Sequence, residues 1–166
     1  MLDLNKNFVD EVYDENGHVV DYTLKCPENF NFAYDVVDAI AAAEPDKRAL
    51  LWCNPAGEER IFTYGDLKYY SDKTANMLRE KGIKKGDMVM VILKRHYQFW
   101  FTILALHKLG AVIIPATFML QKYDIVYRAN AATIKAVVCT GDGDIAEQVD
   151  EALPECPSIE TRIIVN

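Results

Sequence analysis

From Met88 to Val165 the sequence alternates between two hydrophobic periods, and this alternation restricts the fold more than any other feature of the chain. Met88 to Leu93 is an unbroken apolar run of strand length, and Ala111 to Ile114, Ala136 to Cys139 and Arg162 to Val165 read as further strands. Tyr97 to Leu109 is apolar nearly all round, as a helix covered on both sides must be, and Gln121 to Ala131 and Asp144 to Leu153 carry helical spacing. Strands without a polar face need cover on both sides. Four of them separated by three helices predict right-handed βαβ crossovers and a mostly parallel, doubly wound α/β sheet with flanking helices.

The preceding residues read as smaller elements. FVDEVYD and HVVDYTL flank an Asn16-Gly17 turn, which predicts a hairpin inside an appended segment, residues 1–30. Ala33, Val36, Val37, Ile40 and Ala41 predict one amphipathic helix from Asn31, its cap, to Glu44, ahead of Pro45. Ala49 to Cys53 and Arg60 to Phe62 predict two short strands around Asn54-Pro55-Ala56-Gly57-Glu58. Thr63 then caps a helix whose first turn holds Asp66, whose buried stripe is Tyr64, Leu67, Ser71, Ala75 and Leu78, and whose end is Gly82. Residues 31–166 are thus expected to form one α/β unit.

Composition excludes several classes of function. Twenty-five acidic against 18 basic residues give a net charge of −7, which disfavours neutralising the phosphates of a nucleic acid. No apolar run approaches the ~20 residues of a membrane-spanning helix. The first residues lack the basic start and apolar run of a secretory signal, from which a cytoplasmic protein is expected. Cys26, Cys53, Cys139 and Cys156 contain no C-x-x-C pair and are expected to be buried reduced thiols. His96 and His107 lie about three helical turns apart, ~16 Å, too far to ligate one ion, and His18 reads as solvated surface.

Ligands of an open parallel sheet bind beyond the carboxyl ends of its strands. The loops in question are Lys94-Arg95-His96, Pro115-Ala116-Thr117 and Thr140-Gly141-Asp142-Gly143. The first alone carries positive charge, and Arg95 can fork onto a phosphate or carboxylate, although a solvated or internally paired arginine fits the pattern too. Gly141 to Ala146 is formally a G-x-G-x-x-A after a strand and before a helix, the outline of a dinucleotide site, but Asp142 and Asp144 stand where a pyrophosphate needs positive potential. A structural loop is the competing reading. Neither a P-loop nor a G-x-S-x-G elbow occurs. Phe99, Trp100 and Phe101 are consecutive, point in different directions on one helix, and are expected in the core.

The order of segments resembles the N-terminal portion of the adenylate-forming, AMP-binding acyl-CoA synthetases, closest to the medium-chain acyl-CoA and acetyl-CoA branch. Phe62-Thr63-Tyr64-Gly65-Asp66-Leu67 is similar to the first core motif of that family, and Leu106-His107-Lys108-Leu109-Gly110-Ala111-Val112-Ile113-Ile114-Pro115 to the second. Asn29-Phe30-Asn31-Phe32-Ala33, Arg95 with Trp100, Pro115-Ala116-Thr117 and Asp124-Ile125-Val126-Tyr127-Arg128 look like the medium-chain branch in particular.

The resemblance implies the first subdomain of the large domain of a ligase. Such a ligase uses ATP and Mg²⁺ to convert a carboxylic acid to acyl-AMP, then transfers the acyl group to the thiol of coenzyme A. Both matched motifs are mainly structural in the family, so no catalytic or metal-binding residue carries over. Arg95, His96, Thr117, Gly141 and Gly143 remain as substrate- or cofactor-facing candidates. The family's Ser/Thr/Gly-rich phosphate loop ending in Lys is absent, and the arginines that some acetate-specific relatives place after the strand matching Ala136 to Cys139 have no counterpart between Gly141 and Gln148. The expectation is a chain truncated before the phosphate loop that is inactive alone, binds no cofactor tightly, and leaves surfaces uncovered through which it can dimerise. The alternatives are a dinucleotide-binding module using Gly141, Gly143 and Ala146, and a non-catalytic interaction domain.

Overall fold

Two antiparallel hairpins precede a parallel sheet in the structure, a computed structural model that describes residues 5–166. Residues 1–4 of the expected appended segment lie outside the described residues. After a single turn, α1 (Asn5–Phe8), strand β1 (Val9–Tyr13) pairs with β2 (Val19–Leu24) across the predicted turn. Gly17 there has φ +80, a left-handed backbone that glycine adopts without a Cβ penalty. Apart from half-buried Val9 both strands are exposed along their length.

The predicted helix after Asn31 is present but wound differently. Asn31 caps it, its side-chain oxygen accepting from the amides of Ala33 and Tyr34 at 3.0 and 3.4 Å. Phe32–Asp38 then forms a π-helical turn that tightens into α2 (Ala39–Ala43). The buried residues are Ala33, Val37 and Ala41, four apart along one face, a spacing that either winding accommodates. Next, β3 (Arg48–Cys53) and β4 (Glu59–Thr63) form the second hairpin and lead into α3 (Tyr64–Glu80). Thr63 and Asp66 make a reciprocal capping box: the Thr63 hydroxyl accepts from the Asp66 amide at 3.1 Å, and the Asp66 carboxylate accepts from the Thr63 amide at 2.9 Å. Leu67, Ser71, Ala75 and Leu78 are buried, as the stripe predicts.

The remaining elements follow in order: β5 (Met88–Ile92), α4 (Gln98–Leu109), β6 (Val112–Pro115), α5 (Lys122–Ala132), β7 (Ala136–Thr140), α6 (Ile145–Ala152) and β8 (Thr161–Val165). All four strands run parallel in the order β6-β5-β7-β8. Successive side chains sort to opposite faces. Val89, Val91, Ala136 and Val138 pack with Leu78 of α3 and Ala105 and Leu106 of α4. Met90, Ile92, Val137 and Cys139 pack with Ile125 and Ala129 of α5 and Ile145 and Val149 of α6. The doubly wound expectation is met.

A third cluster lies outside the sheet, where Phe101 and Leu104 of α4 meet Phe62 of β4, Leu67 of α3, and Ala33 and Val37. Helix α4 is therefore covered on both sides, which accounts for its nearly uniform apolarity. Two expectations need correction. Phe101 is buried and Phe99 half-buried, but Trp100 is 48% exposed because its position on α4 falls between the two covered faces. Cys139 and Cys156 are buried, whereas Cys26 and Cys53 are exposed, Cys53 because it ends a strand of a hairpin open on one face.

The hairpin–helix layer is tied by ion pairs. The ammonium of Lys108, 2% exposed, donates to Asp38 at 2.9 Å and to Asp72 at 2.7 Å, and Lys68 donates to Asp72 at 2.7 Å. Burial raises the pKa of Asp72, but hydrogen bonds from Lys108 and Lys68 outweigh it and hold the carboxyl below its usual 3.8. A carboxyl depressed in the folded state stabilises the fold above the unfolded value and loses that contribution as pH falls through the folded one. Lys108→Ala is expected to cost about 2 kcal/mol at neutral pH, less than the roughly 3–5 kcal/mol of breaking a fully buried pair, because Asp72 is partly solvated. Urea titrations of both proteins should show the difference narrowing below about pH 4.

Candidate functional site

The strand order fixes where a ligand can sit. From β5 the chain moves outward to β6 and then returns past β5 to β7, so the connections diverge between β5 and β7. Divergence at the carboxyl ends of parallel strands opens a crevice between the two following loops. Residues 93–97 and 141–144 are those loops.

His96 bridges them. Its Nε2 lies 2.7 Å from Oγ1 of buried Thr140 and 3.4 Å from the Asp142 carboxylate. The Thr140 hydroxyl also accepts from the Asp142 amide at 3.0 Å, so the β7 loop is folded back onto its own strand. Of the candidate residues, Arg95, His96, Gly141 and Gly143 belong to this pair of adjacent loops. Thr117 does not join them: it lies exposed in the loop after β6, its hydroxyl accepting from the Met119 amide at 3.3 Å.

Gly143, at φ +78, supplies a backbone turn that other residues rarely adopt. At Gly141 a Cβ would collide with the side-chain oxygen of Asn166. That oxygen is the far end of a flexible side chain, which can turn aside, so in this loop Gly143 alone has a backbone conformation that calls for glycine.

The wall opposite these loops comes from outside the sheet. The indole N–H of Trp52, on β3, donates to the carbonyl of Arg95 at 2.6 Å, and its ring meets Tyr97 edge-on with centroids 5.4 Å apart. Arg60, on β4, donates to the Tyr97 hydroxyl at 2.7 Å. The turn Asn54 to Glu58 holds its shape because the Asn54 side-chain oxygen accepts from the amides of Ala56 and Glu58, both at 3.0 Å. A cavity of about 470 Å³ results, walled by Trp52, Asn54 and Pro55 on one side, by Lys94, Arg95 and His96 at its base, and by Phe118 and Asp142.

Its electrostatics are uneven. The Lys94 ammonium lies 4.8 Å from the centroid of the Phe118 ring. The Arg95 side chain is exposed and makes no hydrogen bond or ion pair to any described residue. Asp142 is the one carboxylate among the lining residues. Two cations with no carboxylate partner among the described residues, beside aromatic and apolar walls, suit a ligand with an anionic end and a flat apolar body. No group of three or more His, Cys, Asp or Glu placed to hold a metal ion occurs among the described residues.

The sequence alone does not point to Trp52, Asn54, Pro55 and Phe118. The first three lie some forty residues before Arg95 on a strand and turn outside both core motifs, and only the packing of that hairpin on α4 brings them to the crevice.

Residues 37–166 match the family model described as "AMP-binding enzyme". Among curated proteins the chain is 38% identical over 146 residues to "Acyl-coenzyme A synthetase ACSM5, mitochondrial" of Rattus norvegicus and 36% identical over the same length to "Acyl-coenzyme A synthetase ACSM2A, mitochondrial" of Homo sapiens. Each match covers 84% of this chain and 25% of the relative, so the chain spans about a quarter of their length. Among solved structures, "Mycobacterium tuberculosis fatty acyl CoA synthetase" superposes with a TM-score of 0.72 at 19% identity, covering 81% of this chain and 26% of that one, a likeness of fold. The cytoplasmic expectation is overturned, because these curated relatives are named as mitochondrial. That expectation rested on the lack of a secretory signal, which does not separate cytosol from mitochondrion.

Trp52→Phe keeps the ring against Tyr97 and removes the indole donor, leaving the Arg95 carbonyl without that partner. Thermal or urea unfolding should show a loss of about 1 kcal/mol, with faster amide exchange at Arg95 and His96 than in the unsubstituted chain.

Proposed function

The chain belongs to the AMP-binding enzyme family, and from that premise we propose that it forms the first α/β subdomain of an acyl-CoA synthetase. The proposed whole enzyme is an acid–thiol ligase. A carboxylate oxygen attacks the α-phosphorus of ATP, giving acyl-AMP and pyrophosphate; the thiolate of coenzyme A then displaces AMP to give the thioester. Activation is needed because a carboxylate has no leaving group that a thiol can expel at neutral pH, whereas AMP departs readily.

The observation that carries the local part of this reading is the unpaired guanidinium of Arg95 beside Lys94 and the Trp52 ring at the crevice between β5 and β7. A guanidinium forks onto phosphate, and an aromatic wall accepts the face of a base. We read this cavity as a subsite for the phosphate-bearing nucleotide that ATP and coenzyme A have in common, with His96 in its lining, Gly141 and Gly143 in the adjoining loop after β7, and Thr117 on the neighbouring loop. The cations that acetate-specific relatives place after the strand equivalent to β7 would then be supplied here from the loop after β5. Mg²⁺ enters the proposal as the counter-ion of the ATP phosphates. Residues 1–30 are read as an appendage to the α/β unit 31–166, and self-association through faces left open by this unit is part of the same reading.

These 166 residues contain no Ser/Thr/Gly-rich loop ending in Lys. Incubated with ATP, Mg²⁺ and carboxylic acids from acetate to octanoate, the chain alone should release no pyrophosphate above a protein-free blank; release would overturn the claim that it is inactive by itself. Binding is tested separately through Trp52 fluorescence in a Trp100→Phe background. Adenosine 3′,5′-bisphosphate and ATP should each be titrated. A saturable change that needs about tenfold more ligand after Arg95→Ala, a loss of ~1.4 kcal/mol, supports the subsite. Equal affinity in both proteins removes Arg95 from it, and a flat titration removes the subsite.

A further inference from the structure

We propose that His96 is a proton-linked positioning residue of the crevice: when an anion settles on Lys94 and Arg95, the His96 ring takes up a proton and pairs with the Asp142 carboxylate, which fixes the β7 loop and masks the one negative charge of the lining. The inference rests on the nucleotide subsite proposed above and names how that subsite is regulated.

A single ring nitrogen serves both loops. Nε2 of His96 lies 2.7 Å from the Thr140 hydroxyl and 3.4 Å from the Asp142 carboxylate, and the two partners make opposite demands on it. Thr140 is buried, and its oxygen already accepts from the Asp142 amide at 3.0 Å. A neutral ring that accepts the Thr140 hydrogen satisfies this buried hydroxyl. The same lone pair then faces a carboxylate, which has no hydrogen to give. A charged ring reverses the second relation, because both nitrogens of an imidazolium donate, and attraction to Asp142 replaces repulsion. The His96 side chain is 18% exposed, so water screens it little from the charges nearby.

Those charges set which state prevails. Lys94 and Arg95 precede the ring in the chain and line the same cavity; both oppose a third positive charge there, whereas Asp142 favours it. Trp52, Asn54 and Pro55 of the hairpin wall, and Phe118 opposite, bring no titratable group, and Arg60 of β4 is directed at the Tyr97 hydroxyl. A phosphate on Lys94 and Arg95 offsets the two opposing charges and leaves the pull of Asp142 uncontested. Occupancy of the crevice and protonation of His96 therefore favour each other, and such coupling is reciprocal: the proton strengthens the hold on the anion to the same degree. The complex binds more protons than its separate parts, so affinity falls as pH rises.

Calorimetric titration with adenosine 3′,5′-bisphosphate at about pH 7, in two buffers of different ionisation enthalpy, reads the protons taken up on binding. The phosphates of the probe titrate in the same range, so the quantity that counts is the difference between the unsubstituted chain and His96→Gln, which keeps a partner for Thr140 and cannot take up a proton. The unsubstituted chain should take up the larger fraction of a proton, and between about pH 8 and pH 6 its affinity should gain about fivefold more than that of His96→Gln. Saturable binding with equal uptake in the two proteins overturns the role of His96 and leaves the subsite standing. No binding heat in either buffer overturns both. Should His96→Gln fail to fold by circular dichroism, the ring nitrogen resonances of His96 in the unsubstituted chain decide: saturation with the probe should move them toward imidazolium positions, and unmoved resonances reject the proton uptake.

Discussion

Strand β5 has no polar side chain to offer on either face, and the rest of the structure depends on meeting that demand. Val89, Met90, Val91 and Ile92 are almost wholly buried, each contributing about 1.5–3 kcal/mol of transfer free energy. Its backbone groups are satisfied by neighbours on both sides, β6 and β7. A strand enclosed in four directions has no side chain along its length to offer a ligand, so only its end is open to one. There the chain must leave the sheet, and there Lys94, Arg95 and His96 lie.

The second hairpin links that constraint to the crevice. Phe62 packs into α4, while Trp52 on the paired strand reaches the Arg95 carbonyl, so one small sheet fixes both the helix after β5 and the loop between them. Lys108 anchors the same layer from the other end of α4 through Asp38 and Asp72. Its position beneath the helices makes the ion pairs more consequential than the exposed pair between Lys25 and Asp10 on the first hairpin, where water competes freely.

What the sequence discloses and what it withholds divide along the range of the interactions. The capping box of Thr63 and Asp66 is read three residues apart, and the sheet is read from runs that no other architecture can cover. The π-helical turn after Asn31 is not disclosed, because the same apolar spacing serves either winding until packing selects one. Exposed Trp100 between two covered neighbours is invisible for a related reason: composition says that α4 is enclosed, and only the neighbours say where the gap falls. The crevice is half legible. Its cationic floor follows a recognisable strand, while its aromatic wall comes from a hairpin whose docking is set by contacts some forty residues apart.

The crevice also has a direction. Lys94 and Arg95 stand at its base, Asp142 stands on the β7 loop, and His96 ties that loop to the strand floor through Thr140. A molecule with a negative end would be turned by this gradient before it made contact, its anionic group drawn to the cations and its donors left toward Asp142. Because His96 holds the two loops together, their spacing is set in advance of any arrival. Orientation would therefore be selected at the mouth of the sheet by a field already in place, and a ligand entering the wrong way round would meet repulsion at both ends.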